Sequence, residues 1–82
     1  MSISGGAYRT IAENAAAVTK SDTANLDAVS TIYIGGAGNI SVVTANDQTV
    51  TFTGVLAGII LPVAVKRVNS TSTTATNMVA CW

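Results

Sequence analysis

The chain has 82 residues, enough for one small domain that buries only roughly 60–65% of the surface its unfolded form exposes. Charged residues make up 10%, four basic against four acidic, where an average soluble domain carries about 25%. The lack of histidine and the single cysteine, Cys81, exclude an intrachain disulfide and a recognisable zinc set, and without clustered Lys and Arg nucleic acid is excluded as the main partner.

A core this thin is usually reinforced by disulfides, metal or oligomerisation, and composition leaves only the last. Zero net charge favours self-association as well. Polarity comes instead from 12 Thr and 7 Ser, and Thr suits strands because its branched Cβ packs on a pleated surface. No basic region precedes an apolar core at the start, so no secretory signal is predicted. The longest apolar stretch, residues 54–65, is interrupted by Pro62 and falls short of the ~20 residues of a membrane-spanning helix; no membrane partner is expected.

In chain order, residues 1–12 read as an N-terminal arm and residues 13–82 as the folded body. Ser4-Gly5-Gly6 is a joint, and Tyr8 and Ile11 lie just beyond it. Residues 15–19 fit a short strand or a helical turn, since alanine favours the latter. Lys20-Ser21-Asp22-Thr23 is a turn cluster in which Asp22 is expected to bond backbone two residues on. Residues 28–34 form a strand with Ile32 and Ile34 on one face and Tyr33 on the other. Gly35-Gly36-Ala37-Gly38-Asn39 breaks it, glycine supplying the positive φ that a tight reversal requires.

Residues 40–44 and 49–53 pair as a hairpin across Asn46-Asp47. The second run alternates, with Val50 and Phe52 inward and Thr49, Thr51 and Thr53 outward. Gly54 and Gly58 bracket another reversal. Residues 59–68 read as one long strand, apolar on both faces and so buried on both. Pro62, which donates no hydrogen bond, places that strand at an edge or gives it a bulge. A polar loop over 69–74 precedes a last strand over 75–82. About six short antiparallel strands at near-regular spacing predict an all-β fold, a small single-domain β-sandwich or barrel.

Candidate chemistry is sparse. Without histidine the usual general base is missing, and neither Lys20 nor Lys66 stands at a recognisable spacing from a nucleophile. No enzyme, cofactor or metal is expected. Gly35-Gly36-Ala37-Gly38 lacks the GxGxxG spacing and the Gly-Lys-Ser/Thr ending of phosphate loops and reads as a turn. Cys81 reads as a buried or half-buried strand residue. Asn39-Ile40-Ser41 and Asn69-Ser70-Thr71 match the glycosylation sequon by chance in a chain rich in these residues. Lys66-Arg67 either contacts an acidic partner or caps a hydrophobic run against aggregation. Trp82 either folds back onto the body or anchors an interface. The candidate interface residues are Tyr8, Ile11, Ile60, Pro62, Lys66, Arg67 and Trp82.

Several stretches resemble a known family. Ile32-Tyr33-Ile34-Gly35-Gly36-Ala37-Gly38-Asn39-Ile40-Ser41-Val42-Val43 is similar to the first signature of the head spike base proteins of gene transfer agents and related tailed phages. Val50-Thr51-Phe52-Thr53-Gly54-Val55, Gly58, Ile60-Leu61-Pro62 and Lys66-Arg67-Val68 resemble the second. Thr73-Thr74-Ala75-Thr76-Asn77-Met78-Val79-Ala80 resembles the third, and Ser21-Asp22-Thr23 an earlier turn. The resemblance spans residues 18–82, while the arm departs from the pattern.

What the resemblance implies is a virion protein without activity of its own, made in the bacterial host cytoplasm and located on the capsid surface. It implies a homo-oligomeric ring on capsid vertices, a pentamer rather than a trimer, that touches the major capsid protein and carries a spike or fibre protein. A threefold capsid decoration (cement) protein and a tail or baseplate adaptor share the same composition. A glycan-binding module is a further alternative, limited by the few aromatic residues.

Overall fold

β-Branched residues with period-two burial set the strands, because such side chains pack on a pleated surface. A computed structural model describes residues 11–82. Seven strands form, where about six were expected: β1 (Ala15–Ala17), β2 (Thr31–Ile34), β3 (Gly38–Thr44), β4 (Thr49–Val55), β5 (Ile59–Ile60), β6 (Val65–Val68) and β7 (Val79–Cys81). They build two antiparallel sheets, one ordered β1-β7-β2-β5 and the other β4-β3-β6. The all-β sandwich read from the sequence is the observed architecture, and the described residues contain no helix.

Ile32, Ile34 and Ala80 of the first sheet meet Ile40, Val42, Val65 and Val68 of the second in one buried cluster, with Leu61 and Met78 filling from the connections. Each fully buried Ile, Leu or Val contributes about 1.5–3 kcal/mol. The expected hairpin is β3–β4. Its turn is closed by Asp47 N donating to Thr44 O at 2.9 Å and Thr44 N to Gln48 O at 2.8 Å. Asp47 adopts a left-handed φ of 65°, a conformation that Asp and Asn reach more readily than other side-chain-bearing residues.

Several expectations change. Residues 59–68 are not one strand: β5 lies in the first sheet and β6 in the second, with Leu61–Ala64 carrying the chain across. Pro62 sits in that crossing, where no ladder bond is required of it, and a doubly apolar run is thereby shared between two sheets. The strand expected over 28–34 begins only at Thr31, because Ser30 is occupied by a bridge to Val65. Val50 does share the inner side of its sheet, opposite Val42, yet it stays 43% exposed because β4 is an edge. The last strand is short because residues 73–76 are engaged elsewhere.

That engagement is with the glycine segment. Asn39 O accepts from the backbone N–H of Thr74 at 2.8 Å and of Ala75 at 2.9 Å. Asn39 N donates to Thr74 Oγ1 at 2.9 Å, and Asn39 Oδ1 accepts from Gly54 N at 3.0 Å. Gly36 and Thr76 form a β-bridge. Gly35 and Gly36 therefore do not serve a hairpin through positive φ; neither has one. They turn the chain from one sheet to the other and let another backbone come close. A Cβ on Gly35 would lie 2.8 Å from Asn77 Cβ and nearer still to the Asn77 carbonyl oxygen. Gly35→Ala is expected to destabilise the fold by about 1–3 kcal/mol, the usual cost of overpacking, read as a lower urea midpoint; an unchanged midpoint contradicts the close approach.

Candidate functional site

The antiparallel register decides which side chains share the outer face of the four-stranded sheet, because directly opposed residues point the same way. One row runs Ala15, Cys81, Thr31 and the next Ala17, Val79, Tyr33, Ile60. The intervening row, Ala16, Ala80, Ile32, turns toward the other sheet. None of the seven outward side chains is charged. Tyr33 is 39% exposed and Ile60 60% exposed. An antiparallel sheet with one solvated face ordinarily alternates apolar inside with polar outside; here both faces are apolar.

Beside this face lies a groove of about 440 Å³ lined by Ile11, Val29, Thr31, Pro62, Cys81 and Trp82, among others. Trp82 also borders a second groove of about 370 Å³ with Ala16, Leu26 and Ala80. Its main chain is fixed by Trp82 O, which accepts from Glu13 N at 2.9 Å and Asn14 N at 2.7 Å, and by Trp82 N, which donates to Asn14 O at 2.9 Å. The indole packs against the core and stays half-buried. It thus folds back onto the body while keeping an exposed part between two grooves.

Of the residues singled out from sequence, the structure gathers Ile11, Pro62 and Trp82 at the groove and places Ile60 on the adjoining face. Tyr8 lies outside the described residues. Lys66 and Arg67 are on β6 in the other sheet, where Lys66 pairs with Asp47 and Arg67 Nε donates to Asn69 Oδ1 at 3.0 Å. Val29, Val79 and Cys81 were not singled out for this surface. Period-two alternation assigned Tyr33 to the outer face, but the strand pairing that aligns it with Val79 and Ile60 is non-local.

Away from this face, polar side chains bond to one another around Ser41 and the 69–73 segment. Lys20 Nζ donates to Thr73 O at 3.0 Å, and Thr73 Oγ1 accepts from Ser41 N at 2.9 Å. Asn69 Nδ2 donates to Ser41 Oγ at 3.1 Å, so the buried polar groups Ser41, Asn69 and Thr73 satisfy one another, as buried polar groups must. Asp22 departs from expectation: Ser21 Oγ supplies the local turn, accepting from Thr23 N at 3.2 Å and Ala24 N at 3.0 Å. Asp22 instead reaches across the fold, Oδ1 accepting from Thr71 N at 2.9 Å and Oδ2 from the Thr71 hydroxyl at 2.7 Å. Among the described residues no group of three or more His, Cys, Asp or Glu is placed to hold a metal, and no helix is long and apolar enough to cross a membrane.

No family model and no curated protein matches the chain. Among solved structures, a chain from the capsid of a native gene transfer agent (GTA) particle, computed with C5 symmetry, superposes with a TM-score of 0.77. It is 33% identical, over 87% of this chain and 83% of that one. The chain belongs to this family of GTA capsid-related proteins.

The Thr71 backbone N–H and hydroxyl hold the Asp22 carboxyl below its ordinary value. A folded-state value below the unfolded one stabilises the fold above the unfolded value, and that contribution is lost as pH falls through the lowered one. The thermal stability of the wild type is accordingly expected to fall on the acid side, and the Asp22→Asn variant to show a flatter acid limb. Superimposable acid limbs count against the Asp22–Thr71 contact.

Proposed function

We propose that this protein is a structural component of a phage-like virion, a head spike base that forms a homo-oligomeric ring on capsid vertices and carries a spike or fibre. It has no enzymatic activity in this reading. The observation that carries the proposal is the uncharged outer face around Tyr33, Val79 and Ile60, continuous with exposed apolar residues such as Val29 at 50% exposure. Contiguous apolar surface of this kind marks an interaction site, and permanently assembled subunits resemble a domain core cut in half. Kinship with a capsid-particle chain supports the virion setting, and in this reading the ring has five copies rather than three.

Residues 1–12 serve as the arm and residues 13–82 as the body. Tyr8, Ile11, Ile60, Pro62 and Trp82 contribute to contacts with neighbouring copies or the fibre. Lys66 and Arg67 meet an acidic patch on a major capsid subunit. Synthesis takes place in the host cytoplasm before incorporation.

Tyr33→Asp and Ile60→Lys place a charge on the outer face; Tyr33 is 39% exposed on an inner strand, so its replacement is expected to cost about 1 kcal/mol in lost cross-strand packing, with folding checked by far-UV circular dichroism. Both variants are expected to fold, to shift toward monomer in light scattering, and to be lost from purified particles. Gold labelling of wild-type particles is expected at head vertices. Full incorporation of both variants, or label on the tail alone, contradicts the proposal.

A further inference from the structure

Ionic groups are scarce in this chain, so the bonds of each one can be followed individually. Among the described residues, Lys20 bonds to Thr73 O, Asp22 to Thr71, Lys66 to Asp47 and Arg67 to Asn69. Glu13 is engaged as well. Asp27 is the one charged side chain of the described residues with no hydrogen bond or ion pair.

Asp27 lines the groove of about 370 Å³ together with Asn25, Leu26, Trp82 and the alanines of β1 and β7. The groove opens where β1 and β7 face the segment that covers the free side of β6. Ser21 N donates to Val68 O at 2.9 Å and Leu26 N to Lys66 O at 2.8 Å, which fixes one wall. The other wall is fixed by the pairing of Ala15–Ala17 with Val79–Cys81. Both walls are therefore preformed, as those of binding sites usually are.

The lining combines distinct chemistries. Trp82 is half-buried, and Asp27 and Asn25 are exposed. Neither the Asp27 carboxylate nor the Asn25 amide is bonded within the described residues. A free carboxylate beside an indole is a poor seat for an anion or a purely apolar group. It suits a cation on an apolar stem. Arginine and lysine lay their methylenes along apolar surface, and the cationic head is drawn both to a tryptophan face and to a carboxylate. Arginine suits it better, because the planar guanidinium stacks on an aromatic face while its N–H fork bonds a carboxylate. The Asn25 amide oxygen can accept a further N–H. The volume lies at the small end for ligand sites, so the groove fits one side chain rather than a whole strand or helix.

We propose that the Asp27–Trp82 groove receives an arginine side chain from a different protein of the particle. The source is not a second copy, in which Lys20, Lys66 and Arg67 are bonded within their own subunit. The inference rests on the proposed virion setting and adds a contact separate from the outer face around Tyr33 and Ile60.

Trp82 is the single tryptophan, so its fluorescence reports occupancy of the groove. The full chain is titrated at constant ionic strength with N-acetyl-arginine amide and with the neutral isostere N-acetyl-citrulline amide. A saturable change in emission is expected for the arginine compound alone, with a dissociation constant on the order of 1–30 mM. Asp27→Asn is expected to keep the wild-type far-UV circular dichroism, to weaken that binding about tenfold, and to be depleted from purified particles. No saturable change, equal binding of the citrulline compound, or unaltered binding by Asp27→Asn overturns the arginine site. Full incorporation of Asp27→Asn overturns the partner contact; loss of Tyr33→Asp from the same particles then leaves the virion reading standing, and full incorporation of both variants overturns the two together. If Asp27→Asn shifts the wild-type oligomer toward monomer in sedimentation, a second copy fills the groove and the foreign source is overturned.

Discussion

The fold depends on the close approach of two stretches of backbone, the glycine segment around Gly35–Asn39 and the segment around Thr74–Asn77. Asn39 bonds to Thr74 and Ala75 through its main chain and to Gly54 through its amide oxygen. Three stretches distant in sequence are thereby held at one point. The chain crosses between sheets after β2 and again before β7, so this junction is where the two sheets are fastened together. A side chain at Gly35 has no room beside Asn77. Overpacking there displaces the segment leading into β7, on which Met78 and Ala80 enter the core.

Seating β7 between β1 and β2 has a functional consequence. It aligns Val79 and Cys81 with Tyr33 and Thr31, and so creates an apolar outer surface from residues that are unremarkable one at a time. None of the seven described outward side chains in its two rows is charged. Asp22 and Lys20 bond to the 71–73 loop, and Lys66 pairs with the exposed Asp47 on the other sheet. The described residues therefore present one side where polar groups bond to one another and a second side whose strand positions are uncharged. For a small domain with a thin core, burying that second side against neighbouring subunits adds the apolar area that its own interior lacks. Kinship with a chain of a GTA capsid particle gives that physical deficit a setting.

Sheet edges are protected unevenly. The chain covers the β6 edge with its own residues 21–30 and keeps two other edges very short, but leaves β4 long and neutral.

Read alone, the sequence determined the all-β class, the β3–β4 hairpin at Asn46-Asp47 and the inward Ile32 and Ile34, because alternation and turn chemistry act over a few residues. It also determined that a neutral, lightly charged chain of this length is poor in core. What only the tertiary structure decided was non-local. The run over 59–68 is locally one apolar strand, and its division at Leu61–Ala64 follows from two sheets competing for it. Asp22 looks like a turn former, and its pairing with Thr71 depends on a loop 49 residues away. Gly35 and Gly36 look like a reversal; they are glycine because Asn77 and Thr76 press against them, and such contact between distant segments leaves no trace in local pattern.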